Sequence, residues 1–155
     1  MSLRVLTGLA CVTVICTSAL VWSQSNPQAA KAITTRQDNL EQIGDSFKLI
    51  RDQLRGDKDV AAITGAAETI NDLAPQLHTW FPAGTGPEAG VETEALPVIW
   101  QKNSEFNAAA DRLVAAAGDM LSAAQSGDLG KVGSNVSNLG GACKNCHDTF
   151  RQDDD

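Results

Sequence analysis

Apolar residues recur at steps of three and four positions in four separate blocks of this chain, and no segment alternates apolar and polar residues as a half-buried strand does. That period is typical of α-helices with one buried face. Four such helices, joined mostly by short turns, pack most simply as an antiparallel bundle. The sequence therefore predicts an all-α fold, an antiparallel four-helix bundle built by a single domain.

The four blocks have recognisable ends. They span residues 33–54, 60–77, 99–124 and 129–150. Gly56 follows the first block, Pro75 is expected to kink or interrupt the second, and Asp128 is a candidate N-cap of the fourth. Between the second and third blocks, residues 81–97 lack periodicity and are rich in proline and glycine, which predicts a long crossover loop.

The composition of the chain excludes some classes of function. With 155 residues the chain can bury a core without disulfides, so its four cysteines need another explanation. Nineteen acidic against twelve basic residues give a net charge of -7, which repels phosphate backbones and anionic lipid headgroups. We expect no nucleic-acid binding.

The N-terminus resembles an export signal. Arg4 precedes an uncharged apolar run from Val5 to Trp22, which predicts a signal peptide over residues 1–23, cleaved before Gln24, and a periplasmic domain over residues 24–155. Ser25, Asn26 and Pro27 are expected to form a loosely ordered start, and the last three aspartates a frayed tail. The alternative is a retained membrane anchor, because the run is just long enough to cross a bilayer.

Only Cys143 and Cys146 remain after such cleavage, and with His147 they form a C-x-x-C-H motif, the pattern of c-type haem attachment. On a helix these positions share one face. The two thiols can form thioethers with the two vinyl groups of one haem, while the imidazole ligates the iron. The motif predicts one covalently attached haem c, with His147 as the metal ligand.

Three other interpretations of the cysteines are open. A thioredoxin-like pair should begin a helix after a strand, whereas this pair ends the last helix of a strandless chain. A structural zinc ion needs four ligands, and the exported chain adds only the distant His78. A plain disulfide would close a very short loop and constrain little. The adjacent histidine favours haem.

The second axial position of the iron has two candidate ligands in the exported chain, Met120 and His78. Met120 is read more simply as a core residue, and His78 as a surface or loop residue. We therefore expect an iron face that is open or covered by apolar side chains. A low-spin, six-coordinate electron carrier is the alternative.

The order of these features resembles cytochrome c prime, the class II c-type cytochrome family. Besides the haem motif, the resemblance rests on Arg151 and on three segments, Thr35-Arg36-Gln37-Asp38-Asn39-Leu40, Trp80-Phe81-Pro82-Ala83-Gly84-Thr85 and Leu96-Pro97-Val98-Ile99-Trp100. It implies a four-helix antiparallel bundle, usually a homodimer. It also implies a haem iron that is typically five-coordinate and high-spin.

The resemblance also implies roles for six further residues. Arg36 and Gln37 would lie against the haem edge, with the guanidinium facing a propionate; the alternative is a pair of exposed polar residues. Leu40 would cover the vacant iron face, where low-spin relatives carry a methionine. Arg151 would flank the proximal histidine, or merely complement the helix end. Thr93 and Glu94 would approach the haem from the loop.

Two functions follow as expectations from the resemblance. The first is the binding of small gases, chiefly nitric oxide and carbon monoxide, because an apolar cover offers no hydrogen bond to a bound oxygen. The second is electron transfer to a redox partner that the sequence does not identify. We expect no enzyme activity, since the sequence shows no nucleophile paired with a base. A retained N-terminal segment would instead make a membrane-anchored redox subunit.

Overall fold

The computed structural model describes residues 26–152, so the predicted signal peptide and the last three aspartates lie outside the described residues. Within that range five helices form, namely α1 (Pro27–Arg55), α2 (Val60–Leu73), α3 (Val98–Gln101), α4 (Asn103–Gln125) and α5 (Leu129–Phe150). No strand occurs there, and the single β-bridge joins Ala95 to Arg151. The four long helices, α1, α2, α4 and α5, make the predicted all-α bundle.

Helix α1 begins earlier than its apolar stripe suggests. The Asn26 side chain accepts a hydrogen bond from the Gln28 amide at 3.0 Å, and Pro27 occupies the first turn, where its missing N–H costs nothing. The prediction of a loosely ordered start at Asn26 and Pro27 is therefore wrong. At the other end the Gly56 amide donates to the Asp52 carbonyl at 2.9 Å.

Helix α2 is shorter than its apolar block, as Pro75 predicts. Asp59 caps its start by accepting hydrogen bonds from the amides of Ala61 and Ala62. The α-helix ends at Leu73, and the chain continues as a 3-10 helix over Ala74–Thr79 that still buries Leu77.

The third apolar block is two helices rather than one. Lys102 leaves the helical region, with φ of -120° and ψ of 48°, between α3 and α4. The Trp100 indole N–H lies within 3.0 Å of the Phe81 carbonyl oxygen and 3.1 Å of the Pro82 carbonyl oxygen. Because α3 is thereby held against the loop, it does not continue along the axis of α4. Periodicity could not show this break.

Helices α4 and α5 are joined by a tight turn, and Asp128 caps α5 as predicted. Extensive packing joins α4 to α5, α1 to α2 and α2 to α4, around a core that includes Ile50, Ile63 and Met120. In contrast, α1 and α5 touch only sparsely, so a cleft remains between them. Among residues 26–152, no helix combines the length and apolar character needed to cross a membrane.

Candidate functional site

A cavity of about 780 Å³ lies at the cleft between α1 and α5, within the size range of cofactor sites. The structure brings all nine site residues predicted from the sequence to its walls. They are Arg36, Gln37, Leu40, Thr93, Glu94, Cys143, Cys146, His147 and Arg151.

The last turns of α5 form one wall of the cavity. Cys143 and Cys146 are half-buried there, unpaired with each other, and His147 lies beside them on the same face. The helical spacing of three and four positions explains this grouping. The two thiols and the imidazole therefore line the same wall of the cavity, and no disulfide joins the thiols.

Burial favours the protonated form of both thiols. It raises the pKa of Cys143 above its usual value. It also raises the pKa of Cys146 to about 11, with a further increase from Cys143 and an opposing effect of Arg112. A reactive thioredoxin-type cysteine needs a lowered pKa, so these positions do not favour that interpretation. Among residues 26–152, no three histidine, cysteine or acidic side chains converge as a zinc site would require.

Helix α1 forms the opposite wall. Leu40 is half-buried and packs against the core at the cavity surface, with Gly44 and Phe47 following at helical spacing. Leu40 carries no nitrogen, oxygen or sulfur atom. At this position the α1 wall therefore presents an apolar side chain, with no atom that could act as a second iron ligand.

Arg36 is buried at the top of this wall, with only 2% of its surface exposed. Its guanidinium donates to the Thr85 hydroxyl at 2.9 Å and to the Thr93 hydroxyl at 2.6 Å, and it lies 4.7 Å from the centre of the Phe81 ring. Burial lowers the pKa of Arg36, while the charge of Glu88 opposes this shift. The interpretation of Arg36 as an exposed helix residue is wrong.

Residues 92–96, which we call the strap, connect α1 to the end of α5 across the cavity. On the α1 side, the side-chain amide of Gln37 donates to the Glu92 carbonyl at 3.2 Å. On the α5 side, Arg151 Nε donates to Glu94 Oε2 at 2.5 Å, and the Leu96 and Gln152 amides donate to the Phe150 and Glu94 carbonyls. The strap explains why Thr93 and Glu94 reach the cavity.

Sequence reasoning did not single out two of the three partners of Arg36, namely Thr85 and Phe81. Both belong to a loop segment that carries the family resemblance, so a signal was present in Trp80-Phe81-Pro82-Ala83-Gly84-Thr85. Gly44 was also missed, because a glycine in a helical pattern has no specific signature. Aromatic residues complete the floor, where Phe106 packs edge-on against Phe81 and Phe150.

The two candidate second ligands lie elsewhere. The His78 ring nitrogens face Asn107 Oδ1 at 3.3 Å and Asp111 Oδ1 at 3.2 Å on the outside of the bundle. Met120 is fully buried in the core. Neither residue lines the cavity.

The residues present fit a haem group. Two thiols and an imidazole share one wall, which is the donor set of c-type attachment. The remaining walls are mostly apolar, as a porphyrin requires. None of the ion pairs found within residues 26–152 includes the buried Arg36, so its positive charge suits an anionic group such as a haem propionate.

Known proteins resemble this chain over most of its length. A model of the family described as Cytochrome C' matches residues 31–151. Cytochrome c' of Rubrivivax gelatinosus is 41% identical over 125 residues, covering 78% of this chain and 94% of that protein. Cytochrome c' of Pararhodospirillum photometricum is 37% identical over 119 residues, covering 76% and 93% respectively.

A solved structure shows the same fold. The crystal structure of cytochrome c' from Thermochromatium tepidum superposes with a TM-score of 0.77 at 27% identity, covering 81% of this chain and 97% of that one. The family model, which matches residues 31–151, covers the part of the chain that lines the cavity and includes the haem motif. The chain therefore belongs to the cytochrome c' family of c-type haem proteins.

Proposed function

We propose that this protein is a periplasmic cytochrome with one haem c, attached through Cys143 and Cys146 and ligated by His147, which binds nitric oxide and carbon monoxide and transfers electrons. One observation carries the proposal. The C-x-x-C-H residues share a cavity with Leu40 on its facing wall, and neither Met120 nor His78 reaches that cavity. When bound, the haem would supply an iron that changes between two oxidation states and could take up a small gas.

The chain's own residues define what the site accepts. Leu40 presents an apolar side chain to the cavity and donates no hydrogen bond. Bound oxygen needs polar stabilisation, whereas nitric oxide and carbon monoxide depend on it far less. Arg36 and Gln37 would hold the propionate edge of the haem, and the Arg36 guanidinium would neutralise a carboxylate there. Thr93, Glu94 and Arg151 close the same edge through the strap.

Known neighbours support the gas-binding role. Nitric oxide complexes have been solved for mutants of cytochrome c prime from Alcaligenes xylosoxidans, which shares this fold at 24% identity and a TM-score of 0.73. Electron transfer is the second role, and the net charge of -7 would steer a basic redox partner. Neither role converts an organic substrate, in line with the expected lack of enzyme activity.

Spectroscopy of the holoprotein tests the coordination state. We expect optical and paramagnetic resonance spectra of a five-coordinate, high-spin iron that changes on addition of nitric oxide or carbon monoxide. Met120→Leu and His78→Asn should leave these spectra unchanged, because both side chains lie outside the cavity.

The opposite result is equally clear. A low-spin iron that ignores both gases would overturn the gas-binding proposal and leave the six-coordinate electron carrier. If Met120→Leu or His78→Asn then converted the iron to high spin, the ligand would be identified.

Location and assembly are part of the same proposal. Export with cleavage after Ser23 predicts a periplasmic product that lacks the apolar N-terminal run, which fractionation and N-terminal sequencing check. Recovery of the intact chain with membranes would favour the anchored redox subunit.

We also expect a homodimer, as in a neighbouring cytochrome c' described by its ligand-controlled dimer dissociation. Sedimentation equilibrium with and without carbon monoxide measures it.

A further inference from the structure

Gly44 is an unusual residue for its place. It lies in the middle of α1, where glycine is a poor helix former, and it lines the cavity while remaining exposed to solvent. No backbone need explains it, since its φ is not positive and an added Cβ would meet no atom within 4 Å. The glycine therefore leaves open space in the cavity wall.

The surroundings of Gly44 define an opening. Five residues of the cavity lining are exposed, namely Gln37, Glu41, Gly44, Glu94 and His147. The strap closes the cleft at one end, because Gln37 bonds to Glu92 and Glu94 pairs with Arg151.

The other end of the cleft is closed by an aromatic ring. The Phe47 ring lies over Gly140 of α5, where an added Cβ would stand 3.3 Å from Phe47 Cζ. Between this contact and the strap, the α1 edge of the cavity is formed by Glu41 and Gly44. Gly44 is the position on that edge without a side chain.

We propose that the gap at Gly44 is the port through which small diatomic gases enter the cavity. Gly44 follows Leu40 by one helical turn and shares its face, so the port opens on the α1 wall, opposite His147. This inference rests on the proposed gas binding and adds the route of access. In this proposal Gly44 controls how fast a gas enters and leaves the cavity, and has little effect on the equilibrium affinity of the iron for that gas.

The rim of the port selects by charge. Glu41 is exposed beside Gly44 and carries its negative charge at this rim. A carboxylate at a narrow opening repels anions but has little effect on an uncharged diatomic molecule. The port therefore suits carbon monoxide and nitric oxide better than small anions such as azide.

Filling the port tests the proposal. In the ferrous holoprotein, Gly44→Val should lower both the association and the dissociation rate of carbon monoxide about tenfold, equivalent to a barrier raised by about 1.4 kcal/mol. Equilibrium affinity should change less than twofold, because a port affects both directions equally. Gly44→Ala, which suits the helix better than glycine, should give a smaller decrease of the same kind and serves if the valine variant fails to mature.

Gly65→Val and Gly65→Ala are the matched controls. Gly65 is also an exposed helical glycine with no atom within 4 Å of an added Cβ, but it lies in α2 outside the cavity lining. Its variants should bind carbon monoxide at the parental rates. Stopped-flow mixing and flash photolysis measure both rates.

Three results would overturn the port. Rates in the Gly44 variants equal to those in the Gly65 variants would mean that gas enters elsewhere, while gas binding itself stands. Altered spectra of the gas-free Gly44→Ala protein would mean that the glycine serves haem packing instead. If the parent protein took up no carbon monoxide, the proposed function would fail, and the port with it.

Discussion

Arg36 connects the cavity of this cytochrome to the loop that covers it. Its guanidinium holds the hydroxyls of Thr85 and Thr93, which lie on two different parts of the loop, and stacks on Phe81. The hydrogen-bond partners of this buried cation are neutral hydroxyls, and the charge of Glu88 offsets only part of the cost of burial, because the pKa of Arg36 is still lowered. Arg36 therefore serves both as an organiser of the loop and as a site for a propionate.

Replacing Arg36 should destabilise the holoprotein. Arg36→Met keeps most of the side-chain volume but removes the donors to Thr85 and Thr93, so we expect a loss of about 1–3 kcal/mol in the free energy of unfolding. Arg36→Lys should recover only part of it, because an ammonium lacks the planar fork. Urea denaturation measures the effect. A change in Arg36→Met no larger than that in the exposed Lys31→Met would contradict this role.

At the scale of elements, α5 carries the chemistry because its register is set at its start. Asp128 Oδ1 accepts hydrogen bonds from the amides of Gly130 at 2.9 Å and Lys131 at 3.1 Å. The helix runs unbroken from Leu129 to Phe150, so Cys143, Cys146 and His147 reach the cavity from one face. Glycine-rich sequence makes this helix dependent on its cap and its packing.

We expect Asp128→Ala to lower stability by about 1 kcal/mol, within the range typical of a lost N-cap. The exposed Asp119, two turns before the end of α4, provides the control, and Asp119→Ala should change stability by less than about 0.5 kcal/mol. Thermal denaturation of both holoproteins provides the comparison. Equal midpoints would show that packing alone holds the start of α5.

At the scale of the whole molecule, the cavity exists because α1 and α5 touch so little. The close helix pairs are α1 with α2, α2 with α4 and α4 with α5. The remaining cleft is bridged by the strap, through Gln37 on one side and through Arg151, Phe150 and Gln152 on the other. A loop therefore closes the site that the helices leave open.

Weakening the strap should loosen this bridge locally. Glu94→Gln removes an exposed ion pair worth at most about 1 kcal/mol, so global stability should fall by no more than that. The amides of Leu96 and Gln152, which the strap protects, should nevertheless exchange hydrogen faster. Glu105→Gln, which removes the exposed partner of Lys102 on α4, should leave those two amides unaffected. If these two amides exchanged hydrogen at unchanged rates in Glu94→Gln, the backbone hydrogen bonds alone would hold the strap in place.

Prediction from sequence succeeded where the signal was local. The period of the apolar residues located the four long helices, and Asp128, Gly56 and Pro75 marked ends that the structure has. Prediction failed where contacts between residues far apart in the sequence determine the local structure. The break at Lys102 depends on Trp100 reaching the loop, and the burial of Arg36 depends on Thr85 and Thr93, about fifty residues away.

The amino-acid sequence by itself determined the helical bundle and the haem motif, because helical period, caps and the C-x-x-C-H spacing act between near neighbours along the chain. Only the tertiary structure decided what faces that motif. The loose α1–α5 cleft brought Leu40 and Gly44 to the cavity and kept Met120 and His78 away from it. The physical reason is that a cavity between two helices about a hundred residues apart in sequence depends on how the whole core packs.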